Sequence, residues 1–139
     1  MLILAALFIN ENVVKWVLAV VVGNYSVKEG YIDAFEYFSL GGYLFLTAFR
    51  SIPYFILWLA VKSYVKRESS MTAGIAWGGL IGILFMIVWG SWSAQHAYYT
   101  NEHVSSTSAI AFLLIPIYAI VTGFIGGFIG GLVSYVSAK

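Results

Sequence analysis

Three ionisable residues interrupt the first two apolar stretches of this chain. Glu11 and Lys15 lie within Met1–Gly23, and Arg50 lies within Leu40–Val61. An ionisable side chain near the centre of a bilayer is costly unless a partner or water stabilises it, so such residues usually belong to a functional site. The sequence therefore predicts a small polytopic membrane protein with a buried polar cluster.

The composition excludes an ordinary soluble domain. Of the 139 residues, 61% are hydrophobic and 9% are charged, whereas about a quarter of the residues of a soluble domain are charged. The net charge of +1 provides no strong field to attract nucleic acid. The absence of cysteine excludes disulfides and thiol chemistry. Without a phosphate-binding loop or a paired nucleophile and base, we expect neither an enzyme nor a cofactor. The expected partner is the lipid bilayer.

Four segments are candidates for membrane-spanning helices, each of which needs roughly 20 mostly apolar residues. Leu40–Val61, Ala73–Ala94 and Ala109–Val136 meet this requirement directly. Met1–Gly23 meets it only if its polar residues face protein, and a re-entrant or surface-lying segment is the alternative. We predict an all-α integral membrane protein: one transmembrane domain over residues 1–139, a four-helix bundle with helices at about 1–23, 40–61, 73–94 and 109–136.

The loop charges predict an orientation. The connection 62–71 carries three basic residues and one acid, whereas 24–39 carries one basic residue and three acids. Basic loops remain cytoplasmic, so we expect both termini in the cytoplasm of a bacterial-type inner membrane. The connection 24–39 also mixes charged and aromatic residues over Val27–Phe38, which predicts a short interfacial helix.

Counting residues along the first two helices places Glu11, Lys15 and Arg50 at about the same depth. Glu11 and Lys15 are four residues apart, which puts them on one helical face where they can pair. Asn12 borders that face. The three charges therefore form a candidate site for a ligand or an ion.

The second helix contributes a polar stripe to the same site. Tyr43, Thr47, Arg50 and Tyr54 fall within a narrow arc at about 100° per residue. Such a stripe must face protein or a water-filled cavity, since lipid offers no hydrogen bonds. Pro53 removes a backbone donor and is expected to kink the helix beside Arg50.

The charges of this cluster do not cancel, because it holds two cations and one anion. In one transport mechanism, an anion or polar solute binds near Arg50 and Lys15. In another, Glu11 carries a proton and changes its pairing as it titrates. A purely structural ion network is the alternative to both.

The favoured function is that of a transporter or channel subunit for a small ion or polar solute. The alternative is a non-transporting binding protein, such as an immunity protein or accessory subunit, which docks on another membrane protein. Either class is compatible with an intramembrane cluster of Glu, Lys and Arg.

Glycines line two of the predicted helices at a spacing typical of close helix packing. Small residues spaced by four let helix backbones approach each other within a membrane. We expect the two rows to meet in an antiparallel pair, and the extra glycines favour a second partner, either a homo-oligomer or another membrane protein. Intrachain packing alone is the alternative. The rows are Gly74, Gly78 and Gly82, and Gly123, Gly127 and Gly131, with Gly126 and Gly130 beside the second.

The connection before the last helix carries His96, Glu102 and His103. Histidine and glutamate can bind zinc or copper, but this spacing is not a known ligand pattern. A solvated loop is the favoured interpretation, and no metal site is predicted.

Overall fold

The computed structural model describes residues 9–64, 70–96, 98–100 and 108–138. In this part of the chain every regular element is helical, which confirms the predicted all-α class. There are five helices among the described residues. They are α1 (Glu11–Val21), α2 (Val27–Phe35), α3 (Leu40–Tyr64), α4 (Ser70–His96) and α5 (Ser108–Ser137).

Helices α3, α4 and α5 are long and apolar enough to cross a membrane, over Leu40–Ser63, Met71–His96 and Phe112–Ser137. Only 22 to 28% of the residues in their apolar windows are buried inside the protein. The rest of this apolar surface faces outward, where hydrocarbon is the solvent that suits it. Three predicted spans therefore correspond to helices that are compatible with a multi-pass membrane protein.

The first helix differs from the predicted helix over residues 1–23. The backbone of Asn10 is extended, with φ −133° and ψ 168°, and its side chain accepts a hydrogen bond from the backbone N–H of Val13 at 3.0 Å. This is an N-cap, so a new helix begins at Glu11. Its 11 residues extend about 16 Å, roughly half the hydrocarbon thickness. Residues 1–8 of the predicted span lie outside the described residues.

Helices α1 and α2 form an antiparallel arm. The chain reverses at Asn24, whose φ of 56° lies in the left-handed region that asparagine tolerates. Ser26 and Glu29 then form a capping box that starts α2. Hydrogen bonding from the Ser26 side chain, and next from its backbone, lowers the pKa of Glu29. The indole N–H of Trp16 donates to the carbonyl of Val27 at 2.9 Å. The helix predicted within Val27–Phe38 is therefore present over Val27–Phe35, packed on α1.

Helices α4 and α5 pack backbone to backbone. A Cβ atom added at Gly78 would collide with the carbonyl oxygen of Gly126, and one at Gly74 would collide with that of Gly130. The collisions are reciprocal, because a Cβ at Gly126 or Gly130 would strike Gly78 or Gly74. Partner numbers fall on one helix as they rise on the other, so the pair is antiparallel.

The remaining glycines of the predicted rows line the same interface. Gly82 lies against the backbone of Thr122. The other three leave room for isoleucine side chains of α4, because a Cβ at each would approach Ile83 or Ile75. They are Gly123, Gly127 and Gly131.

Helix α3 completes the bundle by packing on this pair. The shared core joins α3, α4 and α5 near the middle of their lengths. It consists of Tyr54, Leu57, Leu80, Ile83, Ile87, Ile115 and Ala119.

Candidate functional site

A buried ion pair joins α1 to α3. Arg50 Nη1 contacts Glu11 Oε2, and the two side chains are only 7% and 14% exposed. Arg50 lies ten residues after Leu40 in the 25-residue α3, about 15 Å along the helix. Glu11 is the first residue of α1, where the partial positive charge of a helix N-terminus favours a carboxylate. The structure thus brings these two predicted site residues together within the span.

The predicted stripe on α3 faces the protein interior around Arg50. Arg50 Nη2 donates a hydrogen bond to Thr47 Oγ1 at 2.8 Å, and Arg50 Cζ lies 5.9 Å from the centroid of the Tyr43 ring. Tyr54 is buried further along the helix. Among the described residues, neither Arg50 Nε nor the Tyr54 hydroxyl has a hydrogen-bond partner.

Lys15 pairs with Asp33 instead of with Glu11, which corrects the expected Glu11–Lys15 pair. Its Nζ lies 3.2 Å from Asp33 Oδ2 and donates to the Asp33 carbonyl at 2.8 Å. The reason is tertiary, because α2 folds back along α1 and brings an acid beside the lysine. The cluster then holds two cations and two anions, so the excess positive charge expected from the sequence is absent among these four residues.

Asp33 also ties the arm to the segment after α4. The Tyr99 hydroxyl donates to Asp33 Oδ2 at 2.5 Å, and the Tyr99 ring meets Tyr25 edge-on with centroids 6.1 Å apart. Burial, followed by the hydrogen bond to Asp33, raises the pKa of Tyr99. Sequence reasoning missed this role, because it used Asp33 only as one charge of an acidic loop.

Gln95 is a further site residue that the sequence prediction missed. Its Nε2 donates to the backbone carbonyl of Glu11 at 3.2 Å, and the residue is 5% exposed. Its Oε1 has no hydrogen-bond partner within the described residues. The predicted helix ended at Ala94, but α4 continues to His96. The four-residue spacing between Ser91 and Gln95 was the available signal that these two polar residues share one helical face.

A cavity of about 500 Å³, the vestibule, opens above the ion pair at the end of the bundle that carries the arm. Charged and polar residues form one part of its wall and aromatic rings another. The polar wall residues are Glu11, Asn12, Lys15, Asp33, Ser39 and Gln95. The aromatic ones are Tyr37, Phe38, Tyr43, Tyr98 and Phe112.

The vestibule ends on a second, much smaller cavity of about 10 Å³. Glu11, Leu46 and Phe112 line both cavities, whereas Arg50 and Ser91 line only the small one. A volume of about 10 to 15 Å³ is the least that holds one water molecule. Apolar residues close this level, and they are Ile87, Ile115 and Pro116.

The histidine-containing segment is described only in part. His96 ends α4 and stacks on Trp92, with ring centroids 6.5 Å apart. Glu102 and His103 lie outside the described residues. Within the part of the chain that the structure covers, no three His, Cys, Asp or Glu side chains come together as metal ligands.

The chain matches no protein-family model, and no curated protein or solved structure matches it.

Proposed function

We propose that this protein moves a small ion or polar solute across a membrane through the Glu11–Arg50 level, as a transporter or a channel subunit. One observation carries the proposal: a cavity of about 500 Å³, lined in part by charged and polar residues, leads to a buried ion pair on α3, a helix long and apolar enough to cross a membrane. Ionisable groups at such depth are costly and are typical of substrate and ion pathways.

The closed floor of the vestibule favours a carrier over an open pore. Helix α1 begins at the ion pair, and half-membrane helices that end at the bilayer midplane are typical of transporter binding sites. Pro53 in α3 and Pro116 in α5 are both buried close to this level. Proline is a frequent cause of helix kinks, so these two positions are where α3 and α5 would bend to open the floor.

Proton coupling through Glu11 is the mechanism that the contacts favour over anion binding. Lys15 and Arg50 each have a carboxylate partner, so neither offers an uncommitted charge to an anion. Glu11 lines both the vestibule and the small cavity. In the proposed cycle, protonation of Glu11 weakens its attraction to Arg50, and the freed guanidinium changes the packing of α3.

The proposed orientation places the vestibule outside the cell. Lys62 lies at the end of α3 opposite the vestibule, and the positive-inside rule assigns that end to the cytoplasm. We extend this to both termini in the cytoplasm of a bacterial inner membrane, with the predicted segment 1–23 as the fourth crossing. A homo-oligomer or a second membrane protein remains part of the proposal.

Flux through liposomes that contain the purified protein tests the function. Proton and ion flux is expected to fall to background in Arg50→Leu and Glu11→Gln, because each variant destroys the buried pair. Lys62→Leu removes an exposed cation from the same helix, and Glu36→Gln removes an exposed acid from the arm. Both controls are expected to retain flux.

Two outcomes contradict the proposal. Undiminished flux in both Arg50→Leu and Glu11→Gln would show that the Glu11–Arg50 pair is not part of the transport pathway. No flux from folded wild-type protein would exclude transport of these ions and protons and favour the non-transporting role of docking on another membrane protein.

A further inference from the structure

We propose that the vestibule is selective for a small organic amine in its protonated, ammonium form. This inference rests on the proposed function and assigns a substrate class to the same site. It is carried by the wall of the vestibule, which combines aromatic faces with a carbonyl acceptor that has no partner among the described residues, and whose one cation is already paired. The first two features recognise an ammonium group, and the third disfavours an anion.

The aromatic part of the wall suits an organic cation. Five of the fourteen residues that line the vestibule carry an aromatic ring of Phe or Tyr. The face of such a ring attracts a cation within about 6 Å of its centroid. Tyr43 already holds a cation in this geometry, with Arg50 Cζ at 5.9 Å. Phe38 extends the wall from Tyr43, with ring centroids 5.6 Å apart.

The charges of the vestibule wall disfavour an anion. Glu11 and Asp33 contribute two carboxylates and Lys15 one ammonium, whereas Arg50 lines the small cavity below. Because Arg50 contacts Glu11, these four charges balance, and the described residues of the wall offer no unpaired cation. Its lysine is already paired with Asp33 at 3.2 Å, which leaves little for an anion to bind.

A buried hydrogen-bond acceptor in the wall of the vestibule distinguishes an amine from a fully substituted ammonium. Gln95 lines the vestibule and is 5% exposed, and its Oε1 has no partner within the described residues. A buried acceptor without a donor is unfavourable. An N–H group of a protonated amine can supply that donor, which a quaternary ammonium cannot.

The size of the vestibule indicates an organic rather than an inorganic cation. Its volume of about 500 Å³ falls in the range of roughly 300 to 1,000 Å³ that is typical of small-molecule sites. A bare metal ion would leave most of this volume, and all of the aromatic wall, unused.

Three probes of one carbon skeleton test the charge selectivity. The protein in lipid nanodiscs is titrated with 2-phenylethylamine, 2-phenylethanol and phenylacetate at neutral pH, and partition into empty nanodiscs is subtracted. The expected result is saturable binding of the amine, with weaker binding of the alcohol and weakest binding of the carboxylate. Equal affinities, tighter binding of the carboxylate, or no saturable binding of the amine would overturn the proposal.

Ring substitutions test the aromatic wall separately. Tyr43→Leu is expected to weaken amine binding by about tenfold, whereas Tyr43→Phe keeps the ring and the affinity. Tyr98→Leu and Tyr98→Phe repeat the comparison at an exposed residue, where misfolding is a smaller risk. The proposal that the ring faces bind the amine would be contradicted if the phenylalanine and leucine variants lost equal affinity. It would also be contradicted if neither leucine variant lost affinity.

The amine class and the transport function can fail independently. Flux that depends on Glu11 and Arg50, in a protein that binds no amine, would overturn the class and leave the function standing. Saturable amine binding that Tyr43→Leu weakens, in a protein without any flux, would support the class and overturn transport.

Discussion

At the scale of single residues, the site depends on which acid neutralises which base. Arg50 pairs with Glu11 deep in the bundle. Lys15 pairs with Asp33, and the side chains of this second pair are each about a third exposed. Partial exposure lets water screen the second pair, so its contribution to stability is about 1 kcal/mol or less. The buried pair is different, because removing one partner would leave the other charge unsatisfied at depth.

Burial and, after it, the contact with Asp33 raise the pKa of Tyr99, and the contribution of Asp33 can be measured. The raised pKa of Tyr99 means that its neutral form is favoured in the folded protein. The stability linked to this raised pKa is therefore complete below the ordinary tyrosine pKa of about 10. It is lost as pH rises through the higher value of the folded state. The tyrosinate absorbance of Tyr99 is obtained as the difference between wild type and Tyr99→Phe. We expect it to appear at higher pH than that of exposed tyrosines.

Asp33→Asn provides the matched comparison for that titration. Without the negative charge, the Tyr99 signal is expected at lower pH than in wild type, while burial keeps it above the ordinary range. Glu36→Gln, which removes an exposed acid nearby, is expected to leave it unchanged. A Tyr99 titration at the same pH in wild type and Asp33→Asn would contradict the assigned contact.

At the scale of elements, α4 and α5 form the most extensively packed pair of described helices, and the α1–α2 arm is attached beside it. Their backbones touch along Gly74, Gly78, Gly126 and Gly130. Close backbone approach of this kind provides dispersion contacts where lipid weakens the hydrophobic effect between helices. The arm is held to the bundle by fewer groups, chiefly the Tyr99–Asp33 and Gln95–Glu11 hydrogen bonds and the Glu11–Arg50 pair.

A single methyl group is expected to disturb the α4–α5 seam. In Gly78→Ala the new Cβ collides with the Gly126 carbonyl, and overpacking of this kind typically costs about 1 to 3 kcal/mol. Gly41→Ala is the control, since the nearest atom to its Cβ is Ser39 Oγ at 4.0 Å. The thermal midpoint in detergent should fall for Gly78→Ala and stay level or rise for Gly41→Ala. Equal midpoints would show that the seam can relax at no cost.

The elements differ in how well the sequence predicts them, for physical reasons. The three long helices follow from long apolar runs, of which Arg50 interrupts only the first, and the rows that include Gly74 and Gly78 are visible as spacing. The start of α1 at Glu11 depends on the hydrogen bond that the Asn10 side chain accepts from the backbone N–H of Val13. Such local hydrogen bonds compete with continuation of a helix. The partners of Lys15 and Gln95 depend on how the arm folds back, and helical spacing along one segment carries no such information.

At the scale of the whole molecule, the two ends of the described bundle differ in the polar groups that they carry. The vestibule, the arm and Tyr99 occupy the end where α3 begins. Lys62 occupies the end where α3 finishes. A charge asymmetry of this kind fixes the orientation of a membrane protein, and the orientation decides from which side a solute enters the vestibule.

Single cysteines test this orientation directly, because the natural chain contains none. Lys28→Cys lies on the exposed face of α2, and Lys62→Cys lies near the exposed end of α3. In intact bacterial cells, a membrane-impermeant maleimide should label the first variant, and should label the second only after permeabilisation. The reverse pattern would place the vestibule in the cytoplasm, and labelling of both in intact cells would indicate mixed orientations. Wild type, which should remain unlabelled, is the control. The reverse pattern would mean that protons reach Glu11 from the cytoplasmic side of the membrane.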